Sequence, residues 1–217
     1  MMKKILFSAL FLLFFNATFA QTENGFKLGL TVHPNFGWLK SDIANAENDG
    51  TKAGFSYGLM GDFLFQENYA FSTGLALTTI NGKLSSSAGG VFMDTDGAEA
   101  SETLKLQYLE IPAKIKLMTS QKNGLKFYGE FGLGNAFNVR AKGDVKTANE
   151  SREKESIGKK IAFYRGSIII GGGAEIATSG KTTILAGLSF DNGFTDINKG
   201  SGSLKSSYLG INVGVFF

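Results

Sequence analysis

In Phe26, Leu28, Leu30, Val32, Pro34, Phe36 and Trp38 every second residue is apolar or proline, with Lys27, Gly29, Thr31, His33, Asn35 and Gly37 between them. A period of two predicts a strand with one face in an apolar medium and the other in a polar one. The pattern recurs at Phe55, Tyr57, Leu59, Phe63 and Phe65, and again at Tyr69, Phe71, Leu75 and Leu77. A fourth strand carries Leu109, Ile111, Ala113, Ile115 and Leu117; a fifth carries Leu125, Phe127, Phe131, Leu133, Phe137 and Val139, against Glu130 and Arg140. Tyr164, Ile168, Ile170, Ala174 and Ile176 mark the sixth, and Ile184, Ala186, Leu188 and Phe190 the seventh. The last is the most regular, with Leu209, Ile211, Val213, Val215 and Phe217 on one face. Asn135 among apolar neighbours and Ile169 among polar ones break the rule.

Long and short connections alternate. Lys40 to Lys52, Lys83 to Thr103, Lys142 to Lys160 and Asn192 to Ser203 are long; Glu67-Asn68, Gln121 to Gly124 and Ser179 to Lys181 are tight turns. This is the layout of an up-and-down membrane barrel with long loops outside and short turns at the periplasmic side. Closure leaves no strand edge, as lipid requires of every backbone N–H.

A soluble eight-stranded barrel shares the period but turns its apolar face inward. Here the apolar faces carry almost no charge, while the opposite faces carry Lys27, Asp62, Glu110, Lys114, Glu130, Arg165 and Glu175. Facing lipid, a Lys or Arg near the midplane costs roughly 2–4 kcal/mol. Inside a narrow barrel the same charges can pair. Trp38, Tyr57, Phe63, Phe65, Tyr69, Phe71, Tyr128, Tyr164 and Phe217 are candidates for interfacial girdles.

The N-terminus reads as an export signal. Lys3 and Lys4 precede the apolar run Ile5 to Phe15, and Asn16-Ala17-Thr18-Phe19-Ala20 ends in small residues, which predicts cleavage after Ala20. The apolar run is too short for a spanning helix, which needs about 20 residues. The chain thus divides into a signal peptide, 1–20, and a barrel domain, 21–217. The formal charge of +3 falls on cleavage to 20 basic against 19 acidic residues, which removes the electrostatic case for a nucleic-acid partner. The lack of Cys excludes disulfides and thiolate metal sites. The 29 glycines show no G-X-Y period, so collagen is excluded.

Several segments resemble the PorT-like outer-membrane β-barrel proteins: LKLQYLEIPAKIKL, GFKLGLTVHPNFGWL, YGEFGLGNAFNV, GFTDIN and the terminal YLGINVGVFF. YLEIP is the most telling of these. The resemblance spans nearly the whole mature chain. It implies the barrel fold and, through one branch of the family, a link to a protein-secretion and gliding apparatus. It offers no catalytic motif. The terminal Phe217 resembles the aromatic residue by which the barrel-insertion machinery reads a last strand.

Chemistry is sparse. His33 is the sole histidine; a general base needs an orienting carboxylate, and Asp62 on the next strand is the candidate. No zincin, nucleophile-elbow or phosphate-loop motif occurs. Gly171-Gly172-Gly173 lies within a strand and precedes no helix, so it reads as relief of crowding rather than a phosphate cradle. The candidate site is a lumen network of Lys27, His33, Asp62, Glu110, Lys114, Lys116, Glu130, Arg165 and Glu175. An eight-stranded interior is just wide enough for side chains, so this set reads as a packed ion-pair plug. The charged loop Ala141 to Lys160 reads as a solvated surface that can also engage lipopolysaccharide phosphates. The apolar Val91-Phe92-Met93 either extends a hairpin, folds into the barrel mouth or contacts a partner.

The sequence therefore predicts an all-β, eight-stranded antiparallel up-and-down transmembrane barrel of the bacterial outer membrane, following a cleaved signal peptide. The predicted role is non-enzymatic, without cofactor or catalytic residues. Its predicted partners are outer-membrane lipid and lipopolysaccharide, the barrel-insertion machinery and other envelope proteins. A narrow channel or small-ligand transporter is the alternative, and an outer-membrane enzyme a third reading.

Overall fold

The computed structural model describes residues 25–178, 180 and 182–217. The expected signal peptide lies outside them. The strands are β1 (Phe26–Ser41), β2 (Ala46–Gln66), β3 (Tyr69–Ser86), β4 (Ala100–Met118), β5 (Leu125–Lys146), β6 (Ser151–Ser156), β7 (Tyr164–Ala177), β8 (Thr183–Gly193) and β9 (Leu204–Phe216). All pair antiparallel. The order β4-β3-β2-β1-β9-β8-β7-β5 closes through β4–β5, which makes a ring of eight strands. The short β6 stands outside the ring and pairs only with the far end of β5. The turn at Asn123-Gly124 has both residues at positive φ (52° and 78°), and Lys122 and Leu125 exchange backbone hydrogen bonds across it. That is the Asn-Gly geometry whose twist matches the flanking strands.

The outward band is apolar, as the alternation requires. Leu30, Leu59, Phe131, Leu133, Ile170, Leu188 and Ile211 are all exposed along it. Aromatic groups border it at both ends. Phe26, Phe63 and Phe71 cluster near the short turns, with Phe65 on Tyr69; Phe137 with Phe163 and Tyr164, and Trp38 on Phe190, lie toward the long connections. Tyr128 does not join them. It is buried, on the inward face it shares with Glu130.

The strands run well past this band, and three of the expected long loops shrink accordingly. Lys40 to Lys52 reduces to the four residues 42–45, because Ala46, Glu47 and Asn48 pair with Ser86, Ser85 and Leu84. The connection Lys83 to Thr103 contracts to 87–99, and β6 occupies part of Lys142 to Lys160. The physical reason is an inversion of the alternation. Phe36 points out but Leu39 is buried inside; Leu77 points out but Ile80 and Leu84 point in; Leu109 points out but Leu106 and Leu104 point in. Beyond the band the ring is therefore built like a soluble barrel, with an apolar core and a polar exterior. On β5 a bulge does this instead: Val139 is the extra residue opposite Gln107 and Tyr108 of β4, and it shifts the phase of β5 by one. It turns Ala141 and Val145 inward and leaves Arg140 exposed, against the face expected for it.

The inner core caps the long-loop end. Leu39, Ile80, Leu84, Leu104, Leu106, Val145, Ile157, Ile197 and Leu204 form one buried cluster, and Phe92 and Met93 fold down into it. Of the three placements open to Val91-Phe92-Met93, the barrel mouth is the one adopted. A smaller cluster of Ala70, Met118, Tyr128, Leu185 and Phe216 closes the short-turn end.

Candidate functional site in the barrel lumen

Between the two apolar clusters the interior is polar, and charges meet there in two layers. Lys114 and Lys116 lie two residues apart on β4 and so share its inner face. Lys116 Nζ donates to Asp62 Oδ2 on β2 at 2.7 Å and to Glu175 on β7. It thus ties one wall of the barrel to the other, with all three side chains almost fully buried. Lys27 Nζ reaches the second Glu175 oxygen at 3.2 Å, and Lys114 Nζ donates to Glu130 Oε1 at 2.7 Å. The Tyr128 and Phe216 rings lie 4.6 and 5.1 Å from the Lys116 ammonium, an apolar floor with cation–π character.

The second layer lies toward the long loops. Arg165 donates from Nη2 to Asp191 Oδ1 and to the Ser206 carbonyl (2.7 Å), and from Nε to Ser206 Oγ (2.8 Å). Ser167 Oγ donates to the other Asp191 oxygen at 2.8 Å. Tyr208 Oη donates to Glu110 at 3.3 Å, while its ring lies 5.8 Å from the Arg165 guanidinium carbon. Glu110 has no ion-pair partner among the described residues. The two layers thus hold one carboxylate more than they hold cations.

The sequence-predicted network is brought together with one omission and one regrouping. Asp191 went unread, although Leu185, Gly187, Ser189 and Asp191 alternate with the apolar face of β8 and signal an inward position. His33 does not take Asp62. Its Nε2 lies 2.5 Å from Thr31 Oγ1, and Asp62 turns to Lys116 instead. His33, Met60, Lys114, Tyr128, Glu130 and Asn212 border a cavity of about 70 Å³ beside the first layer. Glycines make room for these groups. A Cβ on Gly187 would come within 2.4 Å of Tyr128 Oη, and one on Gly171 within 3.1 Å of a Glu130 oxygen.

Glu102, also unread, holds the cap. Its carboxylate accepts the backbone N–H groups of Val91 (2.9 Å), Phe92 (3.0 Å) and Met93 (2.8 Å), so three amides that the loop leaves unpaired are satisfied by one side chain. Burial pushes this carboxyl above the usual range, against the lowering effect of those same hydrogen bonds. On the outer surface Asp144 binds Lys105 Nζ at 2.5 Å and the Lys154 amide at 2.8 Å. Its partial burial works to raise the carboxyl, but these hydrogen bonds and the two lysine charges hold it below the usual range.

Several solved structures resemble the ring, three of them as follows. Neisserial surface protein A aligns over 91% of this chain and 100% of its own, at 12% identity and a TM-score of 0.48. The attachment invasion locus protein Ail of Yersinia pestis aligns over 90% and 100%, at 12% identity and a TM-score of 0.43. The outer membrane protein OprG of Pseudomonas aeruginosa aligns over 89% and 96%, at 11% identity and a TM-score of 0.40. No curated protein matches the chain. A family model described as outer membrane protein beta-barrel domain matches residues 19–199, most of the chain. With the closed eight-stranded ring and its outward apolar band, this establishes that the chain belongs to the outer membrane protein beta-barrel domain family.

Proposed function

We propose that this outer-membrane barrel is a non-enzymatic structural and surface-interaction module of PorT-like type, exported by a signal peptide cleaved after Ala20. Its long-loop end faces the exterior and its short turns the periplasm, in keeping with barrels of this layout. Other envelope proteins and lipopolysaccharide are its partners, and the insertion machinery meets it during biogenesis. The link to a secretion apparatus, which the likeness in YLEIP and its neighbouring strands implies, is the narrower form of this reading.

One observation carries it: the lumen is occupied. Two layers of mostly paired charge and an apolar cluster at either end take up most of the interior, so the main surfaces left for interaction are the loops and the outer wall. Planar-bilayer recording of the purified chain tests this, with no steady, porin-size conductance expected. A reproducible open channel would sink it. The cavity beside His33 favours the second reading, a narrow channel or small-ligand transporter, and the same recording decides between them.

A further inference from the structure

Two pairs of lysines face each other on the outer wall, both just beyond the apolar band. Lys105 of β4 is in direct register with Lys142 of β5, and Lys40 of β1 is in direct register with Lys205 of β9. All four occupy outward positions, on opposite sides of the ring. Like charges directly opposite in a ladder destabilise it. At the first pair the protein supplies its own anion, since Asp144 takes Lys105. At the second no ion pair among the described residues includes Lys40 or Lys205.

The surroundings say what kind of anion belongs there. Lys40 is two residues beyond Trp38, which stacks on Phe190 at 5.9 Å and 11°. The inversion at Leu39 places the edge of the apolar band at the same height. Tryptophan at such an edge sits at headgroup level, where lipid phosphates lie. Two ammonium groups can share one phosphate through charge-assisted hydrogen bonds, while the aromatic shelf below packs on the acyl chain.

We propose that Lys40 and Lys205 form a binding site for the phosphate of a lipid in the leaflet at the long-loop end, with the Trp38–Phe190 stack as its apolar floor. This names a lipid site for the surface-interaction reading above, and it rests on that reading.

Trp38 is the chain's only tryptophan, so its fluorescence reports on the site directly. The full chain in detergent is titrated with phosphorylated lipid A, with chemically dephosphorylated lipid A and with inorganic phosphate. A saturable change in Trp38 emission is expected with the phosphorylated lipid alone. Lys40→Ala with Lys205→Ala should weaken it roughly tenfold or more, as expected for losing two charged hydrogen bonds. Lys105→Ala should leave it within about twofold. Lys205→Glu gives Lys40 an internal partner and should abolish binding while the barrel stays intact. Equal binding by the double variant, an equal response to the dephosphorylated lipid, or the same response to inorganic phosphate would each overturn the proposal. A shift in gel mobility between boiled and unboiled protein, measured on every variant in purified outer membranes, separates the two levels. Its absence in the wild type removes the membrane-barrel reading itself; its presence without lysine dependence removes only the lipid site.

Discussion

Arg165 on β7 and Asp191 on β8 form a fully buried ion pair, and every hydrogen bond of that guanidinium is directed to Asp191 or Ser206. Glu110 lies in the same layer and accepts from the neutral Tyr208 hydroxyl, with no ion pair among the described residues. Two carboxylates in one layer therefore carry different structural weight.

Replacing Asp191 with Asn should cost roughly 3–5 kcal/mol, since it leaves a buried guanidinium without its counter-charge. Glu110→Gln should cost about 1 kcal/mol, because it exchanges one acceptor of the Tyr208 hydroxyl for another. Urea unfolding of the folded barrel, followed by gel mobility, ranks the two. Equal costs would show that the Arg165–Asp191 pair does not organise the layer.

Leu104→Ala removes a side chain that exposes no surface at the centre of the cap. A cost of roughly 2–5 kcal/mol is expected from the lost burial and the cavity left behind. Hydrogen exchange should rise at the Phe92 and Met93 amides, which the cap and Glu102 jointly seat. The strands of the apolar band should keep their protection.

Asp144 predicts acid sensitivity of the outer β5–β6 hairpin. Its folded pKa lies below the ordinary Asp value, so its contribution is fully present above that value, about 3.9. It is lost as pH falls through the lower folded value. Exchange at the Lys154 amide, which Asp144 accepts, should therefore accelerate in that window. Asp144→Asn should already show the faster exchange at neutral pH and should flatten the profile.

The fold was legible wherever one medium governed a whole strand. β9 alternates without interruption from Leu209 to Val215, and its register on β1 and β8 follows. It was illegible where the strands leave that medium, because the apolar residues then change sides. The signal is an odd spacing between apolar positions on either side of the change: Trp38 to Leu39, Leu77 to Ile80, Leu106 to Leu109. In the lumen, Lys116, Asp62 and Glu175 could be assigned to inner faces but not to one another, since they meet across the barrel rather than along a ladder. Asp191 escaped notice because it sits at the end of β8, beside residues that read as a loop. Glu102 escaped because its partners are backbone amides, which leave no mark in the sequence.

With the alternation inverted beyond the band, the outer wall of the barrel should face lipid only up to the inversion. The chain has no native cysteine, so single cysteines can be placed at positions 205, 209, 211, 213 and 215 of β9 and spin-labelled in bilayers. Labels at 209, 211, 213 and 215 should be relaxed by lipid-dissolved oxygen, and a label at 205 by a water-soluble agent. Water access along the whole outward face, or lipid access continuing to 205, would contradict it.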